Sequence, residues 1–154
     1  MADETEPASE LGDHLGYWLR FVSNHVSAAF ARKLDRHGVT VAEWVFLRTL
    51  RDHDMLGPSR LSEAMGMSRG AISKLAERLE AKSLVARTDR ADDARAHLLS
   101  LSPAGRALVP QLARLADEND REFFGDLADS DRATMTHALR SIVAARKLKT
   151  LPTS

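Results

Sequence analysis

The chain has 154 residues, 44% of them hydrophobic and 29% charged, which suits one folded domain with a real core and excludes the disordered classes. Basic and acidic residues balance at 22 each, so the global charge advertises no polyanionic partner and any such case has to be local. Cysteine is absent, which removes disulfides, thiolate metal sites, cysteine nucleophiles and thiol redox sensing together and suits a reducing cytoplasm.

No apolar run approaches the roughly eighteen residues of a membrane span, and the opening MADETEPASE is acidic rather than basic and then apolar. Neither membrane insertion nor export by such a signal is expected. Residues 1–9 read as a flexible leader and TLPTS, residues 150–154, as a flexible tail.

From Leu11 to about Arg36, apolar residues including Leu15, Trp18, Leu19, Val22, Val26, Phe30 and Leu34 recur at three and four, the spacing of one long amphipathic helix. Gly38 ends it. Thr40 with Glu43 three residues later forms a capping box, with Val39 and Trp44 placed as a hydrophobic staple, so a second helix runs from Val41 to about Asp52. Beyond the loop at Gly57-Pro58, Ser59 is expected to cap a short helix ending at Met65-Gly66. Ser68 then caps a longer one to about Lys82, with an apolar stripe at Ala71, Ile72, Leu75 and Leu79.

Leu84–Thr88 and His97–Leu101 are short apolar-rich runs around the charged DRADDARAH, and they read as a hairpin with a long loop. Ser102-Pro103 starts a long helix carrying Leu108, Leu112, Leu115 and Phe123, because the missing proline N–H costs nothing in a first turn. Ser130 is expected to open a last helix with Met135, Leu139, Ile142 and Val143 on one face.

The two helices joined by three residues carry the functional signal. Counting from Leu61, offsets of four, six, eleven and fourteen fall on Met65, Met67, Ile72 and Leu75, with Gly66 at the turn. A helix-turn-helix needs apolar residues at such offsets because two steeply crossed helices share one small core. Opposite the stripe lie Arg69, Ser73, Lys74 and Arg78, and Ser68, Arg69 and Gly70 sit at the helix N-terminus. In a helix that enters a DNA groove, N-terminal residues of this kind meet base edges and helix-start N–H groups favour phosphate. Gly70 is costly in a helix unless something approaches it closely. From Ser59 to Arg106 there are nine basic residues, Arg60 among them, against six acidic ones. The segment is therefore +3 and the remainder −3, a modest segregation toward the helix pair and hairpin.

The run LSEAMGMSRGAISKLAERLEAKSLVARTDRADDARAHLLSLSPAGRAL resembles the winged helix-turn-helix of the MarR family of transcriptional regulators, densely from about Thr40 to Leu108. The resemblance implies a mainly α (α+β) fold. Residues 10–149 would form one domain, with residues 40–101 as the winged helix-turn-helix and 10–37 and 102–149 as N- and C-terminal dimerisation helices. It implies a homodimer that holds two recognition helices in the major groove of double-stranded operator DNA and two wings in the flanking minor grooves. The family's wing pattern maps onto Asp93, Ala94 and Arg95. Arg95 would enter a narrow A·T-rich minor groove, and Asp93 would orient it or brace the loop. Ala94 stands where the family often has arginine, with Arg90 as a substitute, and Ser83 stands where glycine is common. Arg60 and Arg87 join the set as basic contacts, Arg87 toward phosphate.

Family members also bind small aromatic or phenolic effectors beside the dimer helices, which offers a role for Trp18, Phe21, Trp44 and Arg48, aromatic walls with one cation. The plainer alternative makes the aromatics core, and apolar stripes are more often packing. The six histidines do not cluster: no pair stands three to five apart, and His14 and His25 are eleven apart on one helix, too far to share a metal ion. No phosphate-cradling glycine loop, nucleophile elbow or metalloprotease helix motif occurs, so no catalytic residue, metal or cofactor is expected. Two functions compete at this point. One is a ligand-responsive, homodimeric repressor on a palindromic operator; the other is a helical homodimer that binds a small molecule or protein without DNA, which overall neutrality favours.

Overall fold

The computed structural model describes residues 7–90 and 93–149, with side chains at all of these except 90 and 93–96. In chain order the elements are a 3-10 turn at Leu11–Asp13, then α1 (Leu15–Asp35), α2 (Val41–Arg51), α3 (Pro58–Met65), α4 (Arg69–Ala81), β1 (Val85–Arg90), β2 (Asp93–Leu101), α5 (Pro103–Phe124) and α6 (Asp129–Arg146). The class is the expected one, mainly helical with one small antiparallel sheet.

Local chemistry sets most boundaries. The Thr40 hydroxyl accepts from the Glu43 N–H at 3.1 Å, and the Glu43 carboxylate accepts from the Thr40 N–H at 3.4 Å, which starts α2. Ser68 and Ser102 cap α4 and α5 by accepting from Ala71 N–H and Gly105 N–H. Gly38 ends the α1 corner at φ +67°, a conformation that costs glycine little.

Four boundaries depart from the expectation. The first helix does not begin at Leu11: the Glu10 N–H donates to Asp13 Oδ2 to close a separate turn, the Trp18 indole donates to the Gly12 carbonyl at 2.9 Å, and α1 begins after an extended His14. At α3 the N-cap is Gly57 with Pro58 in the first turn, which puts Ser59 inside the helix. Similarly, α6 starts at Asp129 after Ala128, one residue before Ser130. The hairpin strands reach Arg90 and Asp93, which face each other in register. The long loop is thereby reduced to residues 91–92, which lie outside the described residues.

β1 and β2 pair from Val85 with Leu101 out to Asp89 with His97, and the register shifts between Asp89 and Arg90. Leu56 adds a short third edge by exchanging backbone hydrogen bonds with Leu99 at 2.8 and 2.9 Å. Phe46, Leu47 and Leu50 of α2, Leu61 of α3, Ile72, Leu75 and Leu79 of α4, Leu99 of β2, and Val109 and Leu112 of α5 are all at most 2% exposed and share one core. Burying each such side chain favours folding by about 1.5–3 kcal/mol. Two polar side chains are also buried, and both are satisfied. Asn119 donates to the Val26 carbonyl and accepts from Lys33, tying α5 to α1, while Glu43 receives Lys82.

Candidate nucleic-acid interface

The turn between α3 and α4 is held by its own backbone. Gly66 sits in the left-handed region at φ +63°, the Met67 N–H donates to the Ser62 carbonyl at 3.1 Å, and the Ser62 hydroxyl donates back to the Met67 carbonyl. Ser62 thus closes both sides of the turn and fixes the angle at which α4 leaves it. Ile72, Leu75, Ala76 and Leu79 anchor α4 to the core. Arg69, Gly70, Ser73, Lys74 and Arg78 are exposed on its other side, with Glu77 among them and Arg60 exposed on α3. Among the described residues, none of Arg69, Lys74 and Arg78 has a carboxylate at ion-pair distance. Their charges face solvent uncompensated, which suits contact with an outside anion.

Other basic residues nearby are already engaged. Arg87 Nε donates to Glu80 Oε1 at 2.8 Å, joining β1 to α4. Lys82, the C-cap of α4, donates to Glu43 Oε2 at 2.7 Å and to the Gly38 carbonyl at 2.6 Å. The far end of α4 is therefore fastened to the α1–α2 corner through a carboxylate that is 1% exposed. Sequence reasoning missed this link, because Glu43 already had a role in the capping box and the partners are 39 residues apart.

The backbone after α4 explains both the unusual Ser83 and the LSPAGR segment. Ser83 adopts φ +59°, the left-handed conformation in which glycine is common. Its carbonyl accepts from the Ser102 hydroxyl at 2.6 Å, and the Leu84 carbonyl accepts from the Ser102 N–H at 3.0 Å. A Cβ at Gly105 would lie 2.1 Å from the Leu84 oxygen. Glycine at 105 is therefore what lets the start of α5 lie against the chain entering β1, at the root of the hairpin.

On the hairpin, His97 Nδ1–H donates to Asp89 Oδ1 at 2.6 Å across the pair where the register shifts. Nothing in the spacing singled out this bond, since the strands were expected to end short of Asp89. The backbone carries Arg90, Asp93 and Arg95 at the outer end of the two strands. Their side chains lie outside the described residues.

The candidate ligand residues form two groups on the protomer. Trp18 and Phe21 are each 50% exposed, so they are not core of the protomer. Phe21 stacks on His25, and Tyr17 lies edge-on to Trp18. Trp44 meets Phe30 edge to face at 6.3 Å and packs against the core, while Arg48 pairs with Asp52 at 2.9 Å. Twelve residues of α1 separate Trp18 from Phe30, about 18 Å along the axis. A groove of about 410 Å³ runs between α1 and α5 and another of about 550 Å³ lies along α5 beside His37; both are lined by His37, Leu115 and Glu118, and neither by any of the four. No group of three His, Asp or Glu residues among those described could hold a metal ion, and no helix is long and apolar enough to cross a membrane.

Residues 39–97 match the MarR family. Over 151 residues the chain is 24% identical to the transcriptional repressor NicR of Pseudomonas putida, spanning 93% of this chain and 96% of that protein. It is 31% identical over 98 residues to the transcriptional repressor MdtR of Bacillus subtilis, 64% of this chain and 63% of that one. Among solved structures it is similar to Bordetella bronchiseptica BpsR, whose DNA binding is regulated by 6-hydroxynicotinic acid. The TM-score is 0.78 at 26% identity, covering 88% of this chain and 97% of that one. The MarR-family signature thus lies over the helix pair and hairpin, and the chain is similar to a regulator of DNA-binding type along nearly its whole length.

Proposed function

We propose that the protein is a sequence-specific DNA-binding transcriptional regulator of the cytoplasm, a homodimeric repressor that holds a palindromic operator and is released by a small aromatic or phenolic ligand. The observation that carries this reading is the outward face of α4, whose Arg69, Lys74 and Arg78 stand exposed and without carboxylate partners among the described residues, directly after a hydrogen-bonded helix-turn-helix. In this reading Ser68, Arg69, Gly70, Ser73 and Lys74 meet the major groove. Arg60, Arg78 and Arg87 meet phosphates, and Arg90, Asp93 and Arg95 form the wing tip over the minor groove.

Dimerisation through residues 10–37 and 102–149 accounts for an apolar surface the protomer leaves open. Leu15, Trp18 and Val22 on α1 and Met135, Leu139, Ile142 and Val143 on α6 are each 41–69% exposed, a large cost unless another copy covers these stripes. Two-fold symmetry then sets half-sites one helical turn apart, about 34–36 Å. Trp18 and Phe21 lie far from Trp44 and Arg48 along one protomer, so a pocket using all four has to form between protomers. A ligand there would favour a spacing of the recognition helices that does not fit DNA.

Footprinting across the protein's own promoter region, with and without aromatic acids, tests the reading. A two-fold-symmetric protected site whose affinity falls steeply with salt is the expected result. No protection at low salt would remove it.

A further inference from the structure

Glycine weakens a helix relative to alanine, so each one near a helix calls for a reason. Four of the eight here have one inside the chain. Gly38 and Gly66 adopt φ of +67° and +63°, and at Gly105 and Gly125 a Cβ would lie 2.1 and 2.4 Å from a backbone carbonyl oxygen. Gly70 has neither reason. Its backbone is ordinary right-handed helix, and a Cβ there would find only Ser68 Oγ, at 4.0 Å. The other helical glycine with open space before it is Gly16. It lies on α1 between Leu15 and Trp18, in the apolar surface assigned above to a second copy.

The direction in which Gly70 faces is informative. At about 100° per residue, the buried Ile72, Leu75, Ala76 and Leu79 of α4 define an inward direction, and position 70 lies about 170° from it. The missing side chain is therefore at the centre of the outward face. Ser73 and Lys74 stand beside it one turn on, and Arg69, without a carboxylate partner among the described residues, precedes it. A gap placed there removes the first obstacle to a close approach of the helix axis by a flat surface.

We propose that Gly70 sets how deeply α4 enters the major groove: its Cα packs directly on the base-pair edges of the groove floor, which makes it a specificity-determining position. This rests on the DNA-reading role of α4 given under Proposed function. A side chain at 70 holds the helix off the floor and weakens the base contacts of Ser73 and Lys74. Contacts to phosphate lie at the rim, carry no sequence information and persist.

The test uses the full-length protein and a duplex that the wild type itself recovers from a random-sequence pool, with a scrambled duplex of equal length as the non-specific probe. Gly70→Ala is expected to lower affinity for the recovered duplex about tenfold and Gly70→Val to bring it close to the scrambled level. Binding to the scrambled duplex stays unchanged, and the Tm of Gly70→Ala is equal to or above that of the wild type. Binding of Gly70→Ala within about twofold of wild type overturns the inference and leaves the DNA-reading role standing. A lowered Tm also overturns it, because the glycine then serves the protein's own packing. If the wild type recovers no duplex above background, the DNA-reading role fails and the inference falls with it.

Discussion

Between Val39 and Leu112 most apolar side chains are shielded by one another: Phe46, Leu47, Leu50, Leu61, Ile72 and Leu79 have no accessible surface. Along α6 no residue is buried, and Met135, Leu139, Ile142 and Val143 each leave 43–48% of their surface exposed. The two regions have apolar stripes of the same helical period, so the stripes alone do not distinguish them. What differs is what the fold places opposite. Helices α2 to α5 and the hairpin close on one another, whereas α6 and the first half of α1 present their stripes to something outside the protomer. The winged unit is stabilised by its own core, whereas in the proposed dimer a second copy covers the stripes of the flanking helices.

The largest test of that contrast acts on the open face. Leu139→Glu combined with Ile142→Glu puts four charges into the dimer's apolar surface, and an unpaired charge is expensive to bury. Sedimentation is expected to find a protomer in place of the dimer, with circular dichroism close to wild type. A dimer of unchanged affinity would break the comparison.

The next test acts inside the winged unit. Gly105→Ala forces a Cβ against the Leu84 carbonyl oxygen at 2.1 Å, so backbone, not a flexible side chain, has to shift. A loss of about 3 kcal/mol is expected, read as a fall of roughly 6–12 °C in Tm for a chain of this size.

The smallest effect has the opposite sign. Ser83→Gly relieves a non-glycine residue held at φ +59° and is expected to add about 1 kcal/mol in denaturant titration. No gain would mean that the greater freedom of glycine in the unfolded chain cancels the relief of strain.

The helix-turn-helix was legible because its determinants are local: the apolar offsets from Leu61, the turn at Gly66 and the caps at Thr40, Ser68 and Ser102 lie within a few residues of what they control. The less legible parts have particular causes. Pro58 and Ser59 both signal a helix start, and the proline took the first turn. The outer hairpin strands carry charged and small residues with no apolar alternation, so periodicity gave no reason to extend them to Arg90 and Asp93. The break at His14 depends on the Glu10–Asp13 and Trp18–Gly12 hydrogen bonds, which leave the apolar spacing intact. At the interface, sequence pattern placed the α4 face correctly as exposed. It could not show that Arg87 is engaged with Glu80, or that Trp18 and Phe21 stand open on the protomer.

The Glu43 carboxylate has a mechanical consequence. It closes the first turn of α2 and at the same time grips Lys82, the C-cap of α4, whose ammonium also holds the corner where α1 ends. Twisting α4 about its own axis would pull Lys82 away from Glu43 and leave a buried carboxylate without its cation. A displacement arriving through α1 therefore carries α2, α4 and the hairpin along as one lever arm. Whatever moves the two DNA-facing surfaces changes the distance between them and leaves the angle of each within its lobe unaltered.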